Sequence, residues 1–278
     1  MPRKHEITVL VLDEEAKAFV YEAVPRSAVV SRLTEERLKR SRDFFVLVSA
    51  SGIAGCSSVI RELKDRLRVL FIRADVRPQW ISETLYRSGI RALRNVVVYD
   101  EPSVVRRVLG AWTAKAPDRL IAAAAAVGDT LEVVSCSLER FQVPFSAIPA
   151  LAEMPEPDRE NFEIDPDGTR ISWPKHEVDL DLDSIRYAVD PAWRERTDRS
   201  MKLRDQRFGE AVARVRERFG LTQEMIPGIS ERQVRRIEKE GCRPRLKTLR
   251  LLARAHDLGL SEYLDEVGQE ARKIREPV

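Results

Sequence analysis

Cysteine is scarce and scattered. Cys56, Cys136 and Cys242 are odd in number, far apart and without C-x-x-C spacing, and only three histidines accompany them. That leaves no disulfide framework and no zinc ligand set, so the three are expected as reduced thiols. Apolar runs are short. None approaches the ~18–20 residues that a helix needs to cross a bilayer. No signal-peptide pattern follows Met1, so a cytoplasmic protein with no membrane partner is expected. Aromatics form only 6% of the chain, and Trp80, Trp112, Trp173 and Trp193 show no repeating spacing with basic residues. A platform for stacking single-stranded bases is therefore not indicated, and the tryptophans are expected in cores or at domain interfaces. Neither G-x-G-x-x-G nor G-x-x-x-x-G-K-[ST] occurs, and no nucleophile, base and acid stand in a recognisable set. The expectation is a protein that is not an enzyme and carries no cofactor.

Charge, by contrast, is plentiful and unevenly placed. The net charge is +3 over 278 residues, but Arg204 to Arg254 holds 14 Lys/Arg against 7 Asp/Glu, a local +7 that leaves the remainder at −4. A basic segment on a mildly acidic body suggests an end that faces nucleic acid. Charge alone fits a solvated, Arg-rich helical face equally well. The length suits two or three domains.

Residues 1–117 alternate short apolar runs rich in β-branched residues with amphipathic stretches: ITVLVLD, SRLTEERLKRSRD, FFVLVSAS, SSVIRELKDR, LRVLFIRAD, PQWISETLYRSG, NVVVYDE and SVVRRVLGAWTA. Continuous runs suit parallel strands covered on both faces, and the 3.6-period segments suit crossover helices. This part is predicted to be an α/β layered, Rossmann-like domain. From 118 the texture changes. DRLIAAAAAVGDTLEVVSCSLERFQVPFSAIPAL offers three short strands with a hairpin turn at Gly128-Asp129, and AEMPEPDREN forms a joint. FEIDPDGTRISWPKHEVDLDLDSIRYAVDP follows, with a second turn at Asp167-Gly168. FQVPFSAIPAL beside VDLDLDSIRYAV is a faint internal echo. It points to one small β-rich (α+β) domain over 118–191 built from two hairpin-plus-helix units.

Residues 192–206 are expected as a helical linker and 207–278 as an all-α bundle. Phe208, Val212, Val215 and Phe219 recur at helical spacing, with Arg214, Arg216 and Arg218 elsewhere around the cylinder. Further helices are predicted over Glu231–Glu240, Lys247–Asp257, with Leu249, Leu252 and Ala253 inward, and Ser261–Arg272, with Tyr263, Leu264 and Val267 inward. Gly241 and Gly259 are expected at helix C-termini. Ser230 followed by Gln233 has capping-box form and places a helix start at Ser230. With Val234 and Ile237 inward, the outward positions become Glu231, Arg232, Arg235, Arg236 and Lys239. A major groove about 12 Å wide admits one α-helix, and arginine reads guanine with a bidentate fork.

LTQ, GIS, RRIEKEG and RPRLKTLRLLARAHDLGLSEYLDEV, spread from Phe208 to Val267, together resemble the bacterial Cro/cI-type (Xre-like) helix-turn-helix. The resemblance implies that Thr222 and Gln223, opening helix two, contact phosphate. It implies too that Glu231, Arg232 and Arg235 face bases, and that Arg243, Arg245 and Lys247 hold phosphates; Arg236 joins Arg232 and Arg235 as a base contact on the groove argument alone. The chain departs from that pattern at EMIPG. Pro227 forbids continuing the helix there, so helix two is expected to lose roughly one turn, and with it an apolar contact that sets the angle of helix three. The segment from Leu131 to Pro191 also resembles a small, β-rich bacterial domain family of unknown function that often precedes such a helix-turn-helix.

In EVDLDLD the acids Glu177, Asp179, Asp181 and Asp183 alternate with Val178, Leu180 and Leu182, which predicts a solvated strand face rather than a cation site. SASGIAGCSS lies between a predicted strand and helix, where α/β sheets bind ligands and a helix N-terminus favours anions. Ser49, Ser51, Gly52, Gly55, Ser57 and Ser58 are therefore a candidate ligand loop, the other reading being that its glycines permit a tight turn. Cys56 in this loop is expected to be structural, because no histidine stands near it as a base. Taken together, these observations predict a homodimeric transcription regulator that binds double-stranded DNA sequence-specifically, with sensing or assembly domains ahead of it. The alternatives are an antitoxin-like or defence-associated module whose N-terminal half binds a protein partner, and an α/β domain that senses a nucleotide or small effector.

Overall fold

The structure, a computed structural model, describes residues 7–17, 29–31, 44–90 and 95–274. His5 and all but Ser31 of the predicted amphipathic stretch SRLTEERLKRSRD lie outside them. The chain divides into two compact units, one ending at Val189 and the other beginning at Asp190.

In the first unit, strands β1 (Thr8–Val11), β2 (Val29–Ser31), β3 (Phe44–Ser49), β4 (Leu67–Arg73) and β5 (Val96–Tyr99) form a parallel sheet in the order β2-β1-β3-β4-β5. Helices α1 (Ile53–Glu62), α2 (Pro78–Arg87) and α3 (Pro102–Thr113) follow β3, β4 and β5. Period-two alternation sorts the side chains. Phe44, Val46, Val48, Leu70 and Ile72 pack with Ile53, Ile60 and Ile81 of α1 and α2, whereas Phe45, Leu47, Val69 and Phe71 pack with Val105, Val108 and Leu109 of α3. Both faces are covered, which is why these strands read as continuous apolar runs. Strand β2, at three residues, is too short to show a period.

Two antiparallel sheets complete the unit. Strands β6 (Ile121–Val127), β7 (Thr130–Ser135) and β8 (Arg140–Pro144) form one, with Gly128 at φ +58° in the hairpin. A single helical turn, Pro149–Ala152, follows. Strands β9 (Glu163–Ile164), β10 (Ile171–Trp173) and β11 (Val178–Leu180) form the other and lead into α4 (Leu182–Val189). The faint echo in the sequence is thus a sheet followed by a helix, twice. The two sheets share a core of Leu131, Val133, Phe141, Ile171, Trp173 and Ile185. The Ile121 N–H donates to the Gly168 carbonyl at 2.7 Å. At Gly168, φ is +78° and an added Cβ would lie 2.3 Å from the Ile121 oxygen, so both backbone angle and space demand glycine.

The alternation in EVDLDLD holds only over β11. Glu177 precedes the strand with φ +53°, Asp181 caps α4 by accepting from the Ser184 N–H at 2.8 Å, and Asp183 lies in the first turn of α4. Only Asp179 stands on the strand, where it accepts from Ser172 at 2.6 Å. The tryptophans also divide. Trp173 is buried and Trp112 packs edge-on to Phe45, but Trp80 is 60% exposed on α2. The sequence around Trp80 has helical period, but nothing in it shows which side the sheet covers.

In the second unit, the segment read as a linker and the first helix of the bundle are one helix, α5 (Pro191–Arg218), capped by Asp190 accepting from the Trp193 N–H at 3.0 Å. Its burial begins at Gly209. A 3-10 turn, Gln223–Met225, is followed by α6 (Glu231–Glu240), α7 (Leu246–Ala255) and α8 (Leu260–Lys273). Val212, Val215, Val234, Ile237, Leu252, Ala253, Tyr263 and Val267 form the core. Phe219 and Leu264, expected inward, are 41% and 39% exposed: Phe219 stands just past the end of α5 and Leu264 falls on the outer side of α8. Gly241 closes α6 at φ +65°, as expected of a C-terminal glycine. Gly259 instead opens α8 with φ −66°, because Asp257 at φ +54° takes the left-handed position after α7.

Among the described residues, no helix is long and apolar enough to cross a membrane.

Candidate nucleic-acid interface

Helix α6 begins where its cap dictates. The Ser230 hydroxyl accepts from the Gln233 N–H at 3.3 Å, the forward half of a capping box. Ahead of it the chain makes one 3-10 turn where the second helix of the bundle was expected, and Pro227 follows. Ile226 and Ile229 on either side of that proline are 1% and 8% exposed, so the shortened segment still supplies apolar contacts under α6.

Two features hold the inner face of α6. Gly209 on α5 lies so close that an added Cβ would sit 2.2 Å from the Ile237 carbonyl oxygen and 3.0 Å from that of Glu238. Beside this contact, Glu238 receives the Arg216 guanidinium, Nε at 2.6 Å and Nη2 at 3.1 Å, in a buried bidentate pair. The sequence reading had placed Arg216 away from the core. It stands one turn from Val212 and beside Val215, however, which puts it on the edge of the apolar stripe. The hydrogen bonds to Glu238 raise the Arg216 pKa against the opposing effect of burial, keeping it charged.

The outer face of α6 carries Glu231, Arg232, Arg235, Arg236 and Lys239, all exposed. Arg236 reaches Glu240 at 3.4 Å, while Arg232, Arg235 and Lys239 have no carboxylate partner among the described residues. The residues expected at phosphates fall into two groups. Thr222, Arg245 and Lys247 are exposed, at the start of the 3-10 turn and the start of α7. Gln223 instead donates its amide to Glu238 at 2.6 Å and is held against the protein, while Arg243 stays exposed and donates Nε to Asp205 at 2.7 Å. The signal that would have identified the partner of Gln223 is a charge at a core-phase position, Glu238 on α6.

The serine loop of the first unit is built differently from a ligand cradle. It lies at the carboxyl ends of β3 and β4, but the protein's own carboxylates take up the serines just ahead of α1. Asp13 accepts from the Ser49 N–H at 2.7 Å and from its hydroxyl at 2.9 Å, and Asp75 accepts from the Ser51 N–H at 3.1 Å and from its hydroxyl. Burial raises the Asp75 pKa, but the Ser51 hydrogen bonds outweigh it and hold the carboxyl below its ordinary value. Gly55, Ser57 and Ser58 lie within α1, Ser57 donating to the Ala54 carbonyl, and take no part. Cys56 faces the Leu12 carbonyl, and burial followed by the nearby Asp13 pushes its thiol up, away from nucleophilic thiolate. Gly52 is glycine because a Cβ there would meet Asp13 Oδ2 at 2.4 Å and Ser49 Oγ at 2.8 Å. Gly52→Ala is expected to destabilise the first unit by about 1–2 kcal/mol through loss of the Asp13 contacts. In urea denaturation, adding it to Asp13→Ala should cost less than it does alone, with Ser49 Oγ the remaining obstacle. A cost no larger than that of Gly55→Ala, where the added methyl meets open space, would remove the contact argument.

Among the described residues, no group of three or more His, Cys, Asp or Glu is placed to hold a metal ion. No curated protein and no solved structure matches the chain. Residues 121–191 match the model of a family described as a protein of unknown function, DUF2442, a span that covers the two antiparallel sheets and α4 but neither the parallel sheet nor the helical unit.

Proposed function

We propose that the chain is a transcription regulator that binds double-stranded DNA sequence-specifically through α6, the recognition helix of a Cro/cI-type helix-turn-helix, as a homodimer. The observation that carries this reading is the division of α6 between a face locked by Gly209, Val234, Ile237 and the Arg216–Glu238 pair and a face of exposed cations. A helix about 10–12 Å across fits a major groove about 12 Å wide. Arg232 and Arg235, unpaired, meet base edges at no cost in broken ion pairs, and a locked inner face spares the protein the entropy of ordering the helix on binding. Arg245 and Lys247, at the start of the next helix, suit phosphates on the flank. Dimerisation follows from the gain in specificity that two half-sites provide.

Selection of bound sequences from a random duplex pool by the full-length protein tests this. Enrichment of a palindromic or repeated motif is expected. Arg232→Ala should relax selection at one base position by about 1–3 kcal/mol. Arg245→Ala should weaken all sequences alike and reduce the salt slope of log K by about 1. No enriched motif, or the same effect from both substitutions, would reject the assignment.

A further inference from the structure

Arg107, in the second turn of α3, is 8% exposed and has no carboxylate partner among the described residues. Its Nε donates to the Ala122 carbonyl at 2.8 Å, which fixes the guanidinium where α3 meets β6. The remaining N–H groups have no protein acceptor. Glu101 acts on the guanidinium through space but makes no hydrogen bond with it, so its free N–H groups are open to a bound anion. Burial lowers the Arg107 pKa, with Cys136 and Glu101 opposing the effect, but the ordinary value is so high that the guanidinium stays protonated.

The guanidinium lines a cavity of about 810 Å³ between the open edge of β5, the start of α3 and strands β6 and β9. That volume falls within the range of small-molecule sites. Its walls are about evenly polar and apolar, the apolar part including Val104, Leu138, Phe162 and Ile164, and Arg140 adds a second, exposed cation. Three carboxylates, Asp100, Glu101 and Glu163, also line it, and all three are exposed. One buried cation facing inward and three acids near solvent favour a ligand with a single negative charge over a phosphate or polyphosphate. The apolar walls call for an apolar body behind that charge.

We infer that this cavity binds a small organic monocarboxylate whose carboxylate accepts from the Arg107 fork and whose apolar part packs on the valine, leucine and phenylalanine walls. The assignment is independent of the DNA reading, because binding is measured without DNA.

The test is isothermal titration of the full-length protein with octanoate, benzoate and phenylacetate, compared with 1-octanol and inorganic phosphate. At least one of the acids is expected to bind, octanoate at least about tenfold more tightly than the alcohol of the same length, and phosphate not to compete. Arg107→Met should erase the preference for acid over alcohol. Val98→Trp, at an exposed position on the cavity lining, should weaken acid and alcohol together. Because Val98 lies outside the core, this second variant decides the matter even if Arg107→Met fails to fold. Absence of binding by all three acids, equal affinity for octanoate and octanol, competition by phosphate, or binding that Val98→Trp leaves unchanged would each overturn the proposal.

Discussion

Glu238→Ala lowers the stability of the helical unit by about 3–5 kcal/mol, the cost of leaving a buried charge without its partner. The carboxylate is 1% exposed and the Arg216 side chain 10%, so water cannot replace the lost acceptor. The effect should spread along the chain. Arg216 Nη1 donates to the Leu221 carbonyl at 2.7 Å and Gln223 to Glu238 at 2.6 Å, so one pair ties together the end of α5, the 3-10 turn and the inner side of α6. The double variant Arg216→Met, Glu238→Leu separates a structural charge pair from a mere packing position. Apolar side chains of similar size remove both charges at once, and most of the stability should return, with the pair coupled in a double-mutant cycle. Urea denaturation followed by helical circular dichroism gives the comparison. If Glu238→Ala costs less than about 1 kcal/mol, the pair behaves as an exposed one and holds nothing. DNA binding should not recover fully in the stable double variant, because Gln223 loses its acceptor and the segment before α6 is no longer anchored.

How much of this was legible beforehand depended on how local each feature is. The start of α6 at Ser230 and its inward Val234 and Ile237 follow from a cap and a helical period within a few residues, and the structure has both. The parallel strands were readable because burial on both faces makes a run continuous. The filling of the serine loop was not, since Asp13 lies 36 residues from Ser49 and Asp75 lies 24 residues from Ser51. Only the strand order brings those carboxylates to the start of α1. Arg107 presents the same difficulty. It sits beside Arg106 in an ordinary amphipathic stretch, and its isolation becomes visible only once β6 packs over α3. Arg216 and Glu238 were partly legible, because each lies at a core phase of its own helix. Their pairing, 22 residues apart, needed the crossing of α5 and α6.

Two glycines in helices of the same unit should respond to alanine with opposite signs. Alanine is favoured over glycine by about 1 kcal/mol inside an exposed helix, because it has less backbone freedom to lose. Gly268 on α8 has nothing within 4 Å of an added Cβ, so Gly268→Ala is expected to stabilise by up to about that amount. Gly209 on α5 faces the backbone of α6, with the Ile237 oxygen 2.2 Å from the added carbon and the Glu238 oxygen at 3.0 Å. No side chain can swing aside to relieve that contact, because the obstructing atoms are carbonyl oxygens of a helix. The two helices must separate, and the packing lost around Val212, Val215, Val234 and Ile237 outweighs the gain in helix propensity. A net loss of about 3 kcal/mol is expected. The displacement also bears on function, since α5 sets the position of the exposed arginines through this contact. Gly209→Ala should therefore weaken binding to a selected DNA sequence more than Gly268→Ala at temperatures where both variants remain folded. If Gly209→Ala instead stabilises the protein as Gly268→Ala does, the close approach of α5 and α6 is wrong, and with it the locked inner face on which the proposed DNA reading depends.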